Sequence, residues 1–392
     1  MAFLTELDRT YTTPEDICAH VGDEYARFGG AIVPPIYQNS LFVQPTDVNG
    51  VAPGGYVYTR VENPTLDIAE RKVAALEGAD GALCFSSGMG AISSAIMHFV
   101  RAGSHIVMVG TSYGPAMNFM RNYLGKRFNV TNTLVTGCDV GEIERAIRPE
   151  TALIYLESPS SCVFMMQDIA EIARIAKARG IGTCIDNSYA TPLHQQPLRH
   201  GIDIVVHTAS KYLGGHSDIV AGALAANREI IEAIQHEERE LLGNIMDPHQ
   251  AWLLIRGIRT LPVRVRQHGE SARKVARYLE NHPKIKRVYY PGSETYGQKA
   301  LFAKYLTGTN GLISFVPAGD AQQVINFING LHMFQRGVSW GGFESLICPI
   351  ATSEEAERYG VPKNLVRIHV GFEDVNTLIA DLEKGLAALP DA

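Results

Sequence analysis

The sequence predicts an α/β protein: a mostly parallel sheet covered on both faces by helices, followed by a smaller α+β unit. Three observations predict it. Short apolar stretches at 82–85, 105–109, 153–156, 182–185 and 202–207 alternate with segments of helical periodicity, which is how strands buried on both faces read. Several of these stretches run directly into Gly, Ser, Asp or Lys, and ligands on such sheets bind beyond the carboxyl ends of the strands. Beyond about residue 250 strands and helices follow in a looser order, as in an antiparallel sheet with helices on one side.

The bulk numbers narrow the function. A chain of 392 residues with 46% hydrophobic residues can bury a large core in more than one domain. A net charge of −6 leaves no electrostatic footprint for nucleic acid or an anionic membrane. The first twenty residues carry Glu6, Asp8, Arg9, Glu15 and Asp16, not the basic-then-apolar order of a signal peptide, and no stretch reaches membrane-spanning length. A cytoplasmic location is the expectation. Cys18, Cys84, Cys138, Cys162, Cys184 and Cys348 are scattered, with no CxxC pair and no histidine at ligand spacing. They read as reduced core residues, and no metal site is expected.

In chain order, residues 1–60 are punctuated by Gly29-Gly30, Pro34-Pro35 and Gly54-Gly55. This predicts an extended arm that lies on its own body or on a neighbouring subunit. A large unit follows over 61–250. Its first helix, 65–76, carries Leu66, Ile68, Ala69, Val73 and Leu76 on one face and is closed by Gly78. The strand 82–85 turns through Ser86-Ser87-Gly88-Met89-Gly90 into a helix over 91–100. Strands at 105–109, 132–135 and 153–156 follow, with Asp139 and Glu142 spaced as a capping box for a short helix. Asp168 caps the next helix, Gly180 ends it, and strands 182–185 and 202–207 complete the series. In the C-terminal unit, 251–392, helices are expected at 271–279, 321–328 and 375–389, with strands at 287–290, 312–316 and 366–370.

The strand ends carry the chemistry. After 202–207 come Thr208, Ser210, Lys211, Gly214 and Gly215, hydroxyls and glycines that gather donors around an anion beside an amine able to form a Schiff base. Gly88 and Met89 open a helix whose N-terminus suits an anion, or else form a small-residue turn for close packing. Asp186 follows 182–185, where it holds a ring nitrogen protonated or caps a turn. Tyr113, after 105–109, stacks on a planar ring or packs as core. Arg367, inside an apolar strand, needs a carboxylate, either a substrate's or a salt-bridge partner's. Taken together they compose a pyridoxal 5'-phosphate site. Lys211 is the Schiff-base lysine, Asp186 faces the pyridine nitrogen, Gly88, Met89, Thr208 and Ser210 hold the phosphate, Tyr113 stacks, and Arg367 binds the substrate carboxylate.

These motifs also resemble a known family. Tyr58-Thr59-Arg60 through Thr65, Ser86-Ser87-Gly88-Met89, Asp186-Asn187, Thr208-Ala209-Ser210-Lys211, Ser339-Trp340-Gly341-Gly342 and Arg367 through Asp374 are similar to the signatures of the Cys/Met-metabolism PLP enzymes. The resemblance implies the fold-type I, aspartate-aminotransferase-like architecture and a homotetramer of active dimers. It also implies that Tyr58 and Arg60 reach the neighbouring subunit's cofactor phosphate, and that Ser339 and Trp340 lie on the substrate side. Ser217-Asp218, the run from Arg256 to Leu261, and Trp340 resemble the bacterial cystathionine β-lyase branch. Three positions depart from that branch or its relatives. Ser161 stands where most relatives have Asn, Asn118 where an acidic contact to a distal ammonium is expected, and Val338 where the β-lyase has Tyr.

The implied function is a PLP-dependent lyase that eliminates a β- or γ-substituent, cystathionine β-lyase-like, giving a thiol, a keto acid and ammonia. The alternatives are a γ-lyase acting on methionine or an oxygen-linked substituent such as canavanine, and a γ-replacing synthase acting on activated homoserine. In γ-elimination Tyr113 assists the leaving group, which requires a nearby positive charge, from the cofactor ring or Arg60, to lower its pKa.

Overall fold

The computed structural model describes residues 3–44 and 55–392. Helix α1, Pro14–His20, is capped by the Thr13 hydroxyl, which accepts from the Asp16 N–H. It buries Ile17 and Cys18 in the core of the large sheet, together with the following Val21. Asp8 and Glu24 flank it and both pair with Arg71, at 2.6 and 2.5 Å. The first part of the predicted arm therefore lies on its own body. From residue 29 the character changes: Ile32, Val33, Leu41, Val43, Val57 and Tyr58 are exposed.

Helix α2, Pro64–Glu77, begins at Pro64 behind an Asn63 cap and stops at Gly78, whose φ of 68° favours glycine. It leads to β1, Gly81–Phe85, and then α3, Gly88–Phe99. Gly88 and Met89 are the first turn of this helix, not a turn before it, because the Ser87 hydroxyl caps the Gly90 N–H at 3.1 Å. Next come β2, His105–Val109; α4, Gly114–Asn118; β3, Thr131–Val135; and α5, Val140–Ala146. The expected capping box does not form at α5. Asp139 caps the Gly141 N–H, but Glu142 turns back to accept from Thr136 and Gly137. Then follow β4, Thr151–Glu157; α6, Ile169–Ala178; β5, Gly182–Asp186; β6, Ile204–His207; and β7, Gly222–Ala226.

The seven strands order as β1-β7-β6-β5-β4-β2-β3. Only β7 runs against its neighbours, pairing antiparallel with β1 and β6. The sequence reading missed β7 because Gly-Ala-Leu-Ala-Ala has no β-branched residue to mark it. Its glycine has a steric reason: a Cβ on Gly222 would collide with the Ser87 carbonyl.

Helices α7, Pro248–Arg259, and α8, Leu261–Glu280, follow. The latter begins at Leu261, well before the expected 271, with Pro262 in its first turn. Leu261 and Val265 pack in the core of the large sheet, whereas Ala272, Val275 and Leu279 pack in that of the second sheet, so one helix spans both cores. The second sheet holds β8, Ile285–Tyr289; β9, Leu312–Pro317; β10, Gln335–Arg336; β11, Leu346–Pro349; and β12, Val366–His369. Its order is β10-β11-β12-β9-β8, antiparallel except for β10 beside β11. Helices α9, Ala321–Asn329, and α10, Val375–Leu386, pack on it. Among the cysteines, Cys18, Cys84, Cys184 and Cys348 are buried. Cys138 is not a core residue as expected: it follows Gly137 in the loop after β3 and is exposed. No helix among the described residues is long and apolar enough to cross a membrane.

Candidate active site

The carboxyl ends of β1, β2, β4, β5 and β6 open onto one cavity of about 690 Å³, closed on the far side by residues of the second sheet. It brings together Gly88, Met89, Tyr113, Asp186, Thr208, Ser210 and Lys211 from the large unit with Ser161, Val338, Ser339, Trp340 and Arg367. Three expected residues are not among its walls. Asn118 sits on α4 with its amide oxygen turned to Asn122. Tyr58 and Arg60 lie on the arm, where Arg60 covers the Tyr58 ring at 5.4 Å and donates to the Glu240 carbonyl at 2.9 Å.

Lys211 follows β6 and donates to the Ser339 hydroxyl at 2.6 Å, with the Trp340 ring 5.4 Å away. Burial, then the charge of Arg367, lowers its amine from the usual lysine range to about 8. Arg367 is buried in β12 and reaches the Ser161 carbonyl at 3.2 Å and the Val338 carbonyl at 2.8 Å. It makes no ion pair among the described residues.

Asp186 ends β5, buried, and its carboxylate accepts from the Ser188 N–H at 2.9 Å. Burial raises its pKa; the Ser188 hydrogen bonds, His207 and Lys211 act against that rise. Asn187 is structural: its amide donates to Glu77 at 3.0 Å, and Glu77 also meets His207 at 2.5 Å. Tyr113 is exposed at the mouth. Burial first, then Asp186 and Glu157, raises its phenol, so the positive charge its acid role requires must come from outside this set of side chains.

The residues fit pyridoxal phosphate. The N–H groups of Gly88 and Met89, in the first turn of α3, have no acceptor within the helix. A Cβ on Gly88 would strike the Thr208 side chain, so glycine keeps that cradle open. Ser210 lines the same cavity, its hydroxyl donating to the Ala221 carbonyl at 3.1 Å and accepting from the Ala221 N–H at 2.8 Å. A buried carboxylate at the cavity floor, an amine with lowered pKa and a helix N-terminus are the donor set that a protonated pyridine with a phosphate demands.

Sequence reasoning missed Glu157. It ends β4 directly opposite Asp186 on β5, and the strand-end rule that found Asp186 after 182–185 applies equally to Glu157 after 153–156.

Fold and site define a PLP-dependent enzyme of amino-acid chemistry. The model of the Cys/Met metabolism PLP-dependent enzymes matches residues 15–387, and the chain belongs to that family. It is 37% identical over 382 residues to the L-methionine gamma-lyase of Pseudomonas putida, covering 94% of this chain and 96% of that one. It is 38% identical to the cystathionine gamma-lyase of Bacillus subtilis, over 93% and 96% of the two chains. The crystal structure of metB from Corynebacterium glutamicum superposes with a TM-score of 0.91 at 33% identity, covering 97% and 99%. These relatives support the γ-lyase alternative at least as well as the β-lyase-like expectation.

Proposed function

We propose that the protein eliminates a γ-substituent from an amino acid whose leaving end carries no charge that needs a protein counterion. Arg367 carries the amino-acid part of this reading: a buried guanidinium beside the reactive lysine, held by two carbonyls and paired with no carboxylate, is prepared for a substrate's α-carboxylate. The leaving-group part is supported by Val338, uncharged and 82% exposed at the cavity.

Bound pyridoxal phosphate supplies the sink for electrons left on the α-carbon. The side chains do the rest. Lys211, with its pKa near 8, has an appreciable neutral fraction near neutral pH and serves as nucleophile and as base at the α- and then the β-carbon. The Ser339 hydroxyl orients that amine. Asp186 would hold the proton of the pyridine nitrogen, and Tyr113, at the mouth, would give a proton to the departing sulfur or oxygen.

The test is a panel of L-methionine, canavanine, L-cystathionine and O-acyl-homoserine, with products identified. Release of 2-oxobutyrate or homoserine without a second substrate supports γ-elimination. Pyruvate from cystathionine returns the assignment to β-elimination, and a requirement for an added thiol indicates a γ-replacing synthase, the activity named for an Arabidopsis relative that is 33% identical.

A further inference from the structure

We infer that Glu157 is a positioning residue that fixes Tyr113 and Arg367 relative to each other across the cavity, so that ring stacking and carboxylate binding are set by one buried side chain. The inference deepens the proposed amino-acid elimination and rests on it.

Glu157 ends β4 and is only 3% exposed. One of its oxygens, Oε2, accepts from the Tyr113 backbone N–H at 2.7 Å. The other, Oε1, accepts from the Ser161 N–H at 2.6 Å and from the Ser161 hydroxyl. The Ser161 carbonyl in turn accepts from Arg367 at 3.2 Å, and the Val338 carbonyl holds the second guanidinium nitrogen. A continuous series of hydrogen bonds thus runs from the loop after β2, through the end of β4, to β12 in the second sheet.

The arrangement is costly to build. Burial and the neighbouring Asp186 both push the Glu157 pKa up, while the Ser161 and Tyr113 donors pull it down. A hydrophobic residue at this place would avoid that cost. It would also leave the Tyr113 and Ser161 donors without an acceptor and let the two loops move independently. The carboxylate is two-pronged, and each prong holds a different loop. That divides its role between the residue over the cofactor ring and the backbone carbonyl that aims the arginine. Ser161 contributes its backbone to this relay as well as its hydroxyl.

The test titrates the holoenzyme with L-alanine, an amino acid without a leaving group, and follows the visible absorbance of the cofactor. In Glu157→Gln, which keeps the shape but turns donors toward donors, half-saturation is expected to rise on the order of tenfold or more, with cofactor content and thermal midpoint near those of the parent. In an Arg367→Ala background the same substitution is expected to add little, because both changes act on one carboxylate contact. Ser161→Ala, which removes only the hydroxyl, should weaken alanine in the same direction by less, and it decides the matter if Glu157→Gln does not fold. Parent-like alanine binding in Glu157→Gln or Ser161→Ala, or fully multiplicative losses in the double variant, overturns the inference. If the parent protein itself responds to no amino acid, the proposed function fails and takes the inference with it.

Discussion

Buried cations occur in two settings in this molecule, and the difference between them separates architecture from function. Under the N-terminal segment, Arg71 meets Asp8 and Glu24, Lys72 lies 3.7 Å from Asp23, and Arg239 meets Glu70 at 3.1 Å. Each of these three has a carboxylate supplied by the fold, whereas Arg264, also buried, is satisfied by the Tyr212, Leu213 and Gly257 carbonyls that it clamps. At the cavity, Lys211 rests on a hydroxyl and Arg367 on two carbonyls. A desolvated charge is unfavourable unless hydrogen bonds or an incoming anion offset it; unlike Arg264, Lys211 and Arg367 line a cavity, and that cavity is where a phosphate-bearing cofactor and a substrate carboxylate fit.

The comparison is broken most severely by removing the reactive amine. Lys211→Ala should lower turnover by about 10³-fold or more with a thermal midpoint close to the parent's, as steady-state rates and a melting curve would show. The paired setting should respond in the opposite sense. Arg71→Ala leaves buried Asp8 without its cation, and Glu24 with Arg27 alone, and should cost about 3–5 kcal/mol of stability, read by denaturant unfolding, while turnover by the folded fraction is unchanged.

A smaller effect sharpens the unpaired setting. Because Lys211 is lowered to about 8 by burial and then by Arg367, its neutral, nucleophilic form gains population as pH rises toward that value. The rate at which apoprotein takes up pyridoxal phosphate should therefore climb through pH 7 and level above about 8. In Arg367→Ala the midpoint should move upward toward the ordinary lysine value.

The smallest effect concerns groups that avoid charge. Burial lowers His268 and His194 to about 4, below the ordinary histidine value of about 6.5. Between those values the unfolded chain binds protons that the folded chain does not. Stability should thus decline as pH falls from about 6.5 to about 4, with no further contribution from these two histidines below it. Thermal midpoints across that range would show it.

Much of this site was legible because it obeys one rule. Lys211, Asp186, Gly88 and Tyr113 each follow a strand that the apolar pattern marks, and the parallel sheet brings those ends together. Arg367 stood out as a charge within an apolar strand. What was not legible lacked a local signal. The small residues of β7 carry no strand propensity, and Glu157, although it follows the apolar stretch 153–156, gives no local sign of the two loops that its carboxylate joins. The start of α8 lay in a run whose Val265 and Leu261 face one core while later residues face another. Tyr58, Arg60 and Asn118 came from family resemblance alone, and within this single chain they stand away from the cavity.

The claim at the centre of the comparison is that Arg367 is unpaired because the substrate's carboxylate is its partner. The most direct measurement compares kcat/KM for the best substrate of the panel with that for its carboxamide, in the parent protein and in Arg367→Ala. The account predicts that the parent strongly prefers the acid and that the preference largely disappears in the variant. A variant that still discriminates as well as the parent would contradict it.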